Sequence, residues 1–364
     1  MRIAFYGSSL LSSYWNGAAT YYRGLLEALA GYGHETTFYE PDAFDRGKHR
    51  DITPPDWCKV VVYRATDDGL SSAVEQAADA DVVVKASGVG FADEQLLLVT
   101  MQRARPDALR IWWDVDAPAT LGELHACPSH PLRAALPTLD LVLTYGGGAP
   151  VVDAYRELGA RDCVPIYNAL DPRTHHPVPP EQRFEADLAF LGNRLPDREA
   201  RVEAFLLNPA ARLPQQRFLL GGAGWDDKPC PGNVTKLGHV GTDAHNAFNA
   251  SARAVLNINR ASMAETGFSP PTRLFEAAGA GACLITDAWE GIELFLQPGT
   301  EVLVARDGSD IVEILPTLSS ERAHQIGLAA RQRILAEHTY DRRAACVDQL
   351  LLAALCAKRA AVPA

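Results

Sequence analysis

The feature that most constrains the fold is a regular alternation of short apolar runs with stretches of helical spacing. In the first half, such runs begin near Arg2, Val60, Asp81, Leu109 and Leu139, and each ends in polar or glycine-rich residues. The runs are almost continuously apolar, which is typical of strands buried on both faces of a parallel sheet. Together with the intervening helices, they predict an α/β fold in which helices cover both faces of the sheet.

The same alternation restarts after a proline-rich stretch, "NALDPRTHHPVPPEQRF". We therefore expect two doubly wound, Rossmann-like domains that face each other across a cleft, since ligands of such sheets bind beyond the carboxyl ends of the strands. The expected divisions are an N-terminal domain at 1–168, a linker at 169–184, a C-terminal domain at 185–335 and a final helix at 336–364 that could cross back to the first domain.

Composition narrows the classes of partner. The 364 residues carry a formal net charge of −11 and no long basic run, which argues against nucleic-acid binding but leaves room for a small anionic ligand. We expect no membrane span, because no long uninterrupted apolar stretch is present; peripheral membrane contact and the oligomeric state stay open. The beginning of the chain lacks signal-peptide character, and the seven cysteines are scattered, so we expect reduced thiols in a cytoplasmic protein.

One segment of the second half combines a cation, an acid and small residues. In "SPPTRLFEAAGAGA", Pro271 suits a first helical turn, and Arg273 and Glu276 are spaced to share one helical face. An arginine beside a helix N-terminus suits a phosphate, and a carboxylate can accept two hydrogen bonds from a ribose. The segment is consistent with a nucleotide site, although a plain surface pair on a closely packed helix fits it as well.

The residues from Pro271 onward, "PTRLFEAAGAGACLITDAWEGIELFLQPG", resemble the signature of the CgeB-type glycosyltransferases, a branch of the GT-B class. That signature has an R-x-F-E-A-A-x-x-G pattern, a strand ending in Thr-Asp, and a G-x-E-x-F-x-x-G pattern. The segment "FLGNRLPDREARVEAFL" is similar to the first strand and helix of their C-terminal domain. The resemblance implies a GT-B fold and transfer of a hexosyl or N-acetylhexosaminyl group from a nucleoside diphosphate sugar, with UDP the expected nucleotide, to an acceptor that it does not identify.

The resemblance also implies roles for individual residues. Glu276 matches the glutamate that holds the nucleotide ribose. Larger retaining families have a second glutamate eight residues earlier, where this chain has Phe268, and the nearest preceding acid is Glu265; this departure leaves the stereochemistry open. His239 lies in a segment that resembles the one meeting the base. The cations expected near the diphosphate are Arg194, Arg198, Arg260 and Arg273.

The N-terminal half is expected to bind the acceptor. Asn16 and Gly17 lie in the loop after the first apolar run, where a glycine would allow the backbone to approach a ligand closely. Tyr14 and Trp15 in the same loop could stack on a sugar or anchor packing. Lys85 stands at the end of a predicted strand as a weaker candidate for an acceptor or phosphate contact.

Asp114 and Asp116 form a D-x-D at another predicted strand end. Three interpretations are open: the acids cap the following turn, one of them is a general base for an acceptor hydroxyl, or both bind a metal. Because the D-x-D lies in the half opposite the expected nucleotide site, we expect a catalytic base here and no metal or other cofactor.

Two rival functions share the expected architecture. One is an epimerase or hydrolase of UDP-sugars, and the other is a non-catalytic protein that binds nucleotide sugars.

Overall fold

The computed structural model describes residues 1–14 and 16–361, apart from the side chain of Asp197. The chain forms two compact units. The first contains Met1–Tyr167 and the residues from Tyr340 onward, and the second contains Asn168–Thr339. The stretch expected as a linker thus lies within the second unit, and the final helix belongs to the first.

The first unit is built on a seven-stranded sheet with the order β3-β2-β1-β4-β5-β6-β7, and every neighbouring pair is parallel. The strands are β1 Arg2–Tyr6, β2 Glu35–Asp42, β3 Cys58–Arg64, β4 Val82–Ala86, β5 Leu109–Asp114, β6 Leu141–Thr144 and β7 Cys163–Pro165. The helices are α1 Ala19–Gly31, α2 Asp67–Gln76, α3 Asp93–Arg103, α4 Ala117–Ala126, α5 Pro131–Ala135, α6 Gly148–Glu157 and α14 Tyr340–Ala361.

Strand β4 shows why these runs form a parallel sheet. All five of its residues are buried, because helices cover the sheet on both sides. Ala4 and Tyr6 of β1 pack in one apolar cluster with residues of α2, while Trp112 of β5 packs in another with residues of α4 and α6. The buried apolar runs thus form the core of the first unit.

Helix α14 is fastened to the first unit by packing and by charge. The Tyr340 ring lies against α1 so closely that a Cβ on Gly24 would stand 2.2 Å from its Cδ2 atom. Asp348 pairs with His34 at 2.9 Å and Lys358 pairs with Asp140 at 2.5 Å. The last helix therefore completes the first unit, although the whole second unit precedes it in the chain.

The second unit has a six-stranded sheet with the order β10-β9-β8-β11-β12-β13, again with every pair parallel. The strands are β8 Ala186–Leu191, β9 Phe218–Gly221, β10 Val234–Gly238, β11 Ala252–Asn257, β12 Leu284–Asp287 and β13 Leu303–Ala305. The helices are α7 Pro196–Val202, α8 Asn208–Arg212, α9 His245–Ser251, α10 Ala261–Thr266, α11 Thr272–Gly279, α12 Gly308–Thr317 and α13 Ser320–Glu337. A single π-helical stretch, Glu203–Leu207, joins α7 to α8.

The expected α/β class and the two doubly wound parallel sheets are confirmed. In each unit the strand order reverses beside the first strand, between β1 and β4 and between β8 and β11, where α/β sheets open a crevice for ligands. Among the described residues, no helix is long and apolar enough to cross a bilayer.

Candidate functional site

Glycines bring two loops together beside the reversal point of the second sheet. The loop after β8 begins at Gly192, and the loop after β9 contains Gly222, whose φ is +116°. A Cβ on Gly222 would stand 2.2 Å from the Gly192 carbonyl oxygen. Only glycine combines this backbone conformation with this approach, so the first loop is held at the carboxyl end of the sheet.

Helix α11 carries Arg273 and Glu276 and packs closely on its surroundings. Ala277 and Ala278 are fully buried. A Cβ on Gly279 would stand 2.4 Å from Leu170 Cδ1 and 3.0 Å from the His175 carbonyl oxygen. The small residues of this helix therefore let the segment before β8 lie directly against it, while Glu276 keeps 16% of its side chain exposed.

Three of the predicted donor-binding residues, Arg198, Arg273 and Glu276, influence one another electrostatically. Burial lowers the pKa of Arg273; the Glu276 charge opposes this shift, and the Arg198 charge adds to it. Arg198 donates from Nη1 to the Asn193 carbonyl oxygen at 3.2 Å, which fixes it at the loop after β8. Two guanidinium groups that repel each other beside one carboxylate form a suitable place for an anion with more than one charge.

Two histidines that the sequence did not single out lie beside Glu276. His175 Nε2 is 3.8 Å from Glu276 Oε1. A ring nitrogen of His245 lies within 4.8 Å of a ring nitrogen of His175 and of a carboxylate oxygen of Glu276. Burial lowers the pKa of His245, with Glu276 opposing that shift and Arg273 and His175 adding to it. His175 was missed because it lies in an aperiodic proline-rich stretch, and His245 because a lone histidine at a helix start carries no pattern.

A buried polar network links the ends of β11 and β12. Asn257 donates to Thr286 Oγ1 at 3.0 Å and to Asn259 Oδ1 at 3.1 Å. The Asn259 backbone N–H donates to Asp287 Oδ1 at 3.1 Å, and Arg201 donates to Asp287 Oδ2 at 2.5 Å. Burial raises the pKa of Asp287 even though the Asn259 backbone bond and Arg201 oppose it. The network ties these strand ends rigidly together beneath α11.

Arg194, which the sequence places near the diphosphate, is paired with two carboxylates in the structure. Its guanidinium makes two bonds of 2.8 Å to Glu199 and a third of 2.8 Å to Asp227. Glu199 and Asp227 raise the pKa of Arg194, while hydrogen bonds from Arg194 and Lys228 lower the pKa of Glu199 to about 2. An arginine already held by two carboxylates has little charge left for a diphosphate, so its observed role is to bind the loop after β8 to the loop after β9.

The other predicted donor residues lie on other elements of the second unit. Arg260 is partly buried and directly precedes α10, and Glu265 is exposed on that helix. His239 is exposed just after β10. Phe268 occupies the place of the second glutamate with a φ of +47°, and its N–H donates to the Glu290 carbonyl oxygen at 2.6 Å.

In the first unit, Asp114 is fully buried at the end of β5. Its Oδ1 accepts the Asp116 N–H and the Thr120 hydroxyl, both at 3.0 Å, and its Oδ2 accepts the Tyr155 hydroxyl. Burial raises its pKa despite these donors. The geometry matches the capping interpretation for Asp114, whereas Asp116 is partly exposed at the start of α4.

Lys85 is buried inside the first unit, and its ammonium group has partners there. It is 1% exposed, pairs with Asp93 and lies 5.1 Å from the centre of the Trp112 ring. Asp93 in turn accepts the backbone N–H groups of Val89 and Gly90. Burial lowers the pKa of Lys85, and Asp93 opposes the shift. The observed role of Lys85 is to hold the loop after β4.

The loop after β1 is organised by Asn16. Its Nδ2 donates to the carbonyl oxygens of Ser9 and Ser12, and its Oδ1 accepts the Ser8 hydroxyl. A Cβ on Gly17 would meet no atom within 4 Å, so nothing in this unit requires glycine there. The Tyr14 ring stacks on His49 at 3.9 Å. Trp15 lies outside the described residues.

Comparison with known proteins gives one match to a family model and several structural likenesses. Residues 198–349, less than half of the chain, match the model of a family described as glycosyl transferase-like. None of the curated proteins compared with the sequence is significantly similar to it.

Several solved structures resemble the whole chain. Anabaena HepE in complex with UDP has a TM-score of 0.70 at 14% identity, covering 97% of this chain and 100% of its own. Sucrose-phosphate synthase from Thermosynechococcus elongatus has a TM-score of 0.69 at 15% identity, covering 98% and 100%. AviGT4, a glycosyltransferase involved in avilamycin A biosynthesis, has a TM-score of 0.61 at 17% identity, covering 98% of each chain. At these identities the likeness establishes the fold: the chain has the GT-B fold.

Proposed function

We propose that the protein is a glycosyltransferase of the CgeB-like kind that transfers a sugar from a UDP-sugar to an acceptor hydroxyl. The observation that carries the proposal is that Arg273 and Glu276 share helix α11, that Arg198 is fixed at the loop after β8, and that both Glu276 and Arg198 act electrostatically on Arg273. Support also comes from the glycosyl transferase-like family match, which includes all three residues, and from the UDP bound by the structurally similar HepE.

The proposed chemistry divides between charge and hydrogen bonding. Glu276 accepts hydrogen bonds from the ribose hydroxyls. Arg198 and Arg273 face the diphosphate, on which negative charge grows as the bond to the sugar breaks. Fixed positive donors at that position lower the barrier without having to reorganise, so transfer needs no metal ion.

The first unit is assigned to the acceptor. Asp116 follows β5 at the carboxyl end of the first sheet and is partly exposed, so it replaces the buried Asp114 as the better candidate for the general base. A base there would take the proton of the attacking hydroxyl, a role worth about 10²–10⁴-fold in rate.

Calorimetry with UDP in EDTA-containing buffer tests the nucleotide site. We expect Glu276→Ala to weaken UDP binding by about 10- to 150-fold, because a charged hydrogen-bonded contact contributes roughly 1.5–3 kcal/mol. Glu313→Ala removes an exposed acid on α12 of the same unit and is the control. Equal UDP affinity in wild type and in a folded Glu276→Ala variant would remove the ribose assignment.

A panel of UDP-sugars, incubated with and without candidate acceptors, tests the reaction. Transfer that persists in EDTA supports the proposal. Release of UDP with no acceptor-dependent product would favour the hydrolase or epimerase, and binding with no turnover would favour the non-catalytic protein.

A further inference from the structure

His175, His245 and Glu276 come together from three different parts of the second unit. His175 lies in the segment before β8, His245 begins α9, and Glu276 lies on α11. Each residue offers one atom that could bind a metal, a ring nitrogen or a carboxylate oxygen. These three atoms all lie within 4.8 Å of one another. Residues so far apart in sequence meet here because Gly279 lets the His175 segment lie against α11.

The His175 imidazole has a hydrogen-bond partner outside the cluster. His175 Nδ1 is 3.0 Å from Thr174 Oγ1, which leaves Nε2 directed at Glu276, 3.8 Å from Oε1. Histidines that bind metals usually have such a partner on the second ring nitrogen, since it fixes the ring and the tautomer.

The ligand set selects the kind of ion. Two imidazoles and one carboxylate suit Zn²⁺ and neighbouring transition metals, whereas Mg²⁺ and Ca²⁺ prefer oxygen ligands. Zinc bonds of about 2.0–2.1 Å in a tetrahedral site place ligand atoms roughly 3.3–3.4 Å apart. The 3.8 Å between His175 and Glu276 is close to that spacing. The His245 nitrogen lies within 4.8 Å of both atoms, so it would have to approach them by at most about 1.4 Å to complete the site.

We propose that His175, His245 and Glu276 bind a Zn²⁺-class ion, and that this ion competes with the nucleotide for Glu276. The competition rests on the proposed function, whereas the binding of the metal does not. Three protein ligands leave a fourth position to water, and the nearby Arg273 charge opposes the cation. We therefore expect a reversible site that regulates nucleotide binding, weaker than a structural zinc site.

The metal is tested on the full-length protein, purified without a polyhistidine tag and freed of metal with EDTA that is then removed. Zn²⁺ is titrated by calorimetry and Co²⁺ by its visible absorption, which reports the coordination number directly. We expect one ion per chain in a four-coordinate site. His175→Ala, His245→Ala and Glu276→Gln should each weaken binding at least about tenfold, in line with the loss of one ligand.

His176→Ala is the matched control, because His176 is the next residue, is exposed and lies outside the cluster. It should bind Zn²⁺ as the wild type does. If the cluster variants bind Zn²⁺ as tightly as His176→Ala, the site is elsewhere and the proposal is wrong. Circular dichroism identifies any variant that fails to fold. If one does, Zn²⁺ binding is compared between His175→Ala, whose residue lies on a partly exposed segment, and His176→Ala.

Competition is measured as the ratio of UDP dissociation constants with and without saturating Zn²⁺. We expect this ratio to exceed about ten for the wild type and to fall toward one for His175→Ala. A ratio of one in a wild type that binds Zn²⁺ at the cluster overturns the competition. If UDP does not bind under either condition, the proposed function fails, while the Zn²⁺ and Co²⁺ titrations still decide the metal site.

Discussion

Asp114 and Asp116 are only two positions apart, but their surroundings favour different roles. Asp114 is fully buried and accepts three side-chain or backbone donors, whereas Asp116 is partly exposed. We expect Asp114→Asn to lower the free energy of unfolding by about 1–3 kcal/mol, because the amide group turns one acceptor into a donor facing buried donors. Chemical denaturation measures this.

Asp116→Asn is expected to behave differently. If Asp116 is the general base, turnover should fall by at least about 10²-fold with UDP affinity unchanged and stability nearly so. Single-turnover transfer assays, paired with calorimetry, separate these quantities. Full activity of Asp116→Asn would eliminate it as the base, and the loop around Asn16 would be the next place to search.

The pH dependence of stability tests the buried state of Asp114. Burial raises its pKa above the ordinary 3.8, so the folded protein holds the proton more tightly than the unfolded chain. The contribution of this carboxyl to the free energy of unfolding therefore falls as pH rises from about 4 to the folded pKa and is constant beyond it. Asp114→Asn lacks the titrating carboxyl and therefore this pH-dependent contribution. We expect the difference in free energy of unfolding between wild type and Asp114→Asn to be greater near pH 4 than near pH 7. A pH-independent difference would contradict the raised pKa.

At the residue scale, the sequence predicted positions better than roles. The strand-end location of Asp114 and Lys85, and the loop location of Asn16, are visible in the sequence as polar residues within or after apolar runs. Their partners were not: Lys85 pairs with Asp93, and Asn16 bonds to the serines of its own loop. Which strand-end groups are satisfied internally depends on contacts between loops, and these follow from the packed structure.

At the scale of elements, continuous apolar runs were a dependable signal for buried parallel strands. The edge strands β7 and β10 depart from this rule. Strand β7 has only the three residues Cys-Val-Pro, too short a run to detect, and β10 contains no fully buried residue. The close packing expected for α11 from its small residues is present, with Ala277 and Ala278 fully buried. The segment that packs against it contains four prolines and no periodicity, which in the sequence favours a linker and gives no sign of these contacts.

The close approach at α11 can be tested with a single Cβ. Gly279→Ala would place that atom 2.4 Å from Leu170 and 3.0 Å from the His175 carbonyl oxygen, so we expect a loss of roughly 1–3 kcal/mol from overpacking. Gly122→Ala, in helix α4, meets nothing within 4 Å and should be neutral or stabilising by about 0.5–1 kcal/mol. Thermal denaturation that ranks the two variants in the opposite order would contradict the packing of the segment on α11.

At the scale of the whole molecule, the chain leaves the first unit after Tyr167 and returns to it at Tyr340. The second unit is therefore one continuous segment, whereas the first needs both ends of the chain. The charge pairs His34–Asp348 and Lys358–Asp140 belong to a helix that a fragment ending at Tyr167 lacks. We expect such a fragment to fold poorly on its own.

The second unit offers the complementary experiment. Arg198, Arg273 and Glu276 all lie within residues 168–339, and so do the strands and apolar clusters that support them. A fragment of those residues should fold cooperatively and bind UDP within about tenfold of the full-length affinity, a difference of about 1.4 kcal/mol. Calorimetry on the fragment, with its Glu276→Ala variant as the control, measures this. A folded fragment that does not bind UDP would mean that the first unit supplies essential nucleotide contacts, and the assignment of the nucleotide to the second unit alone would be wrong.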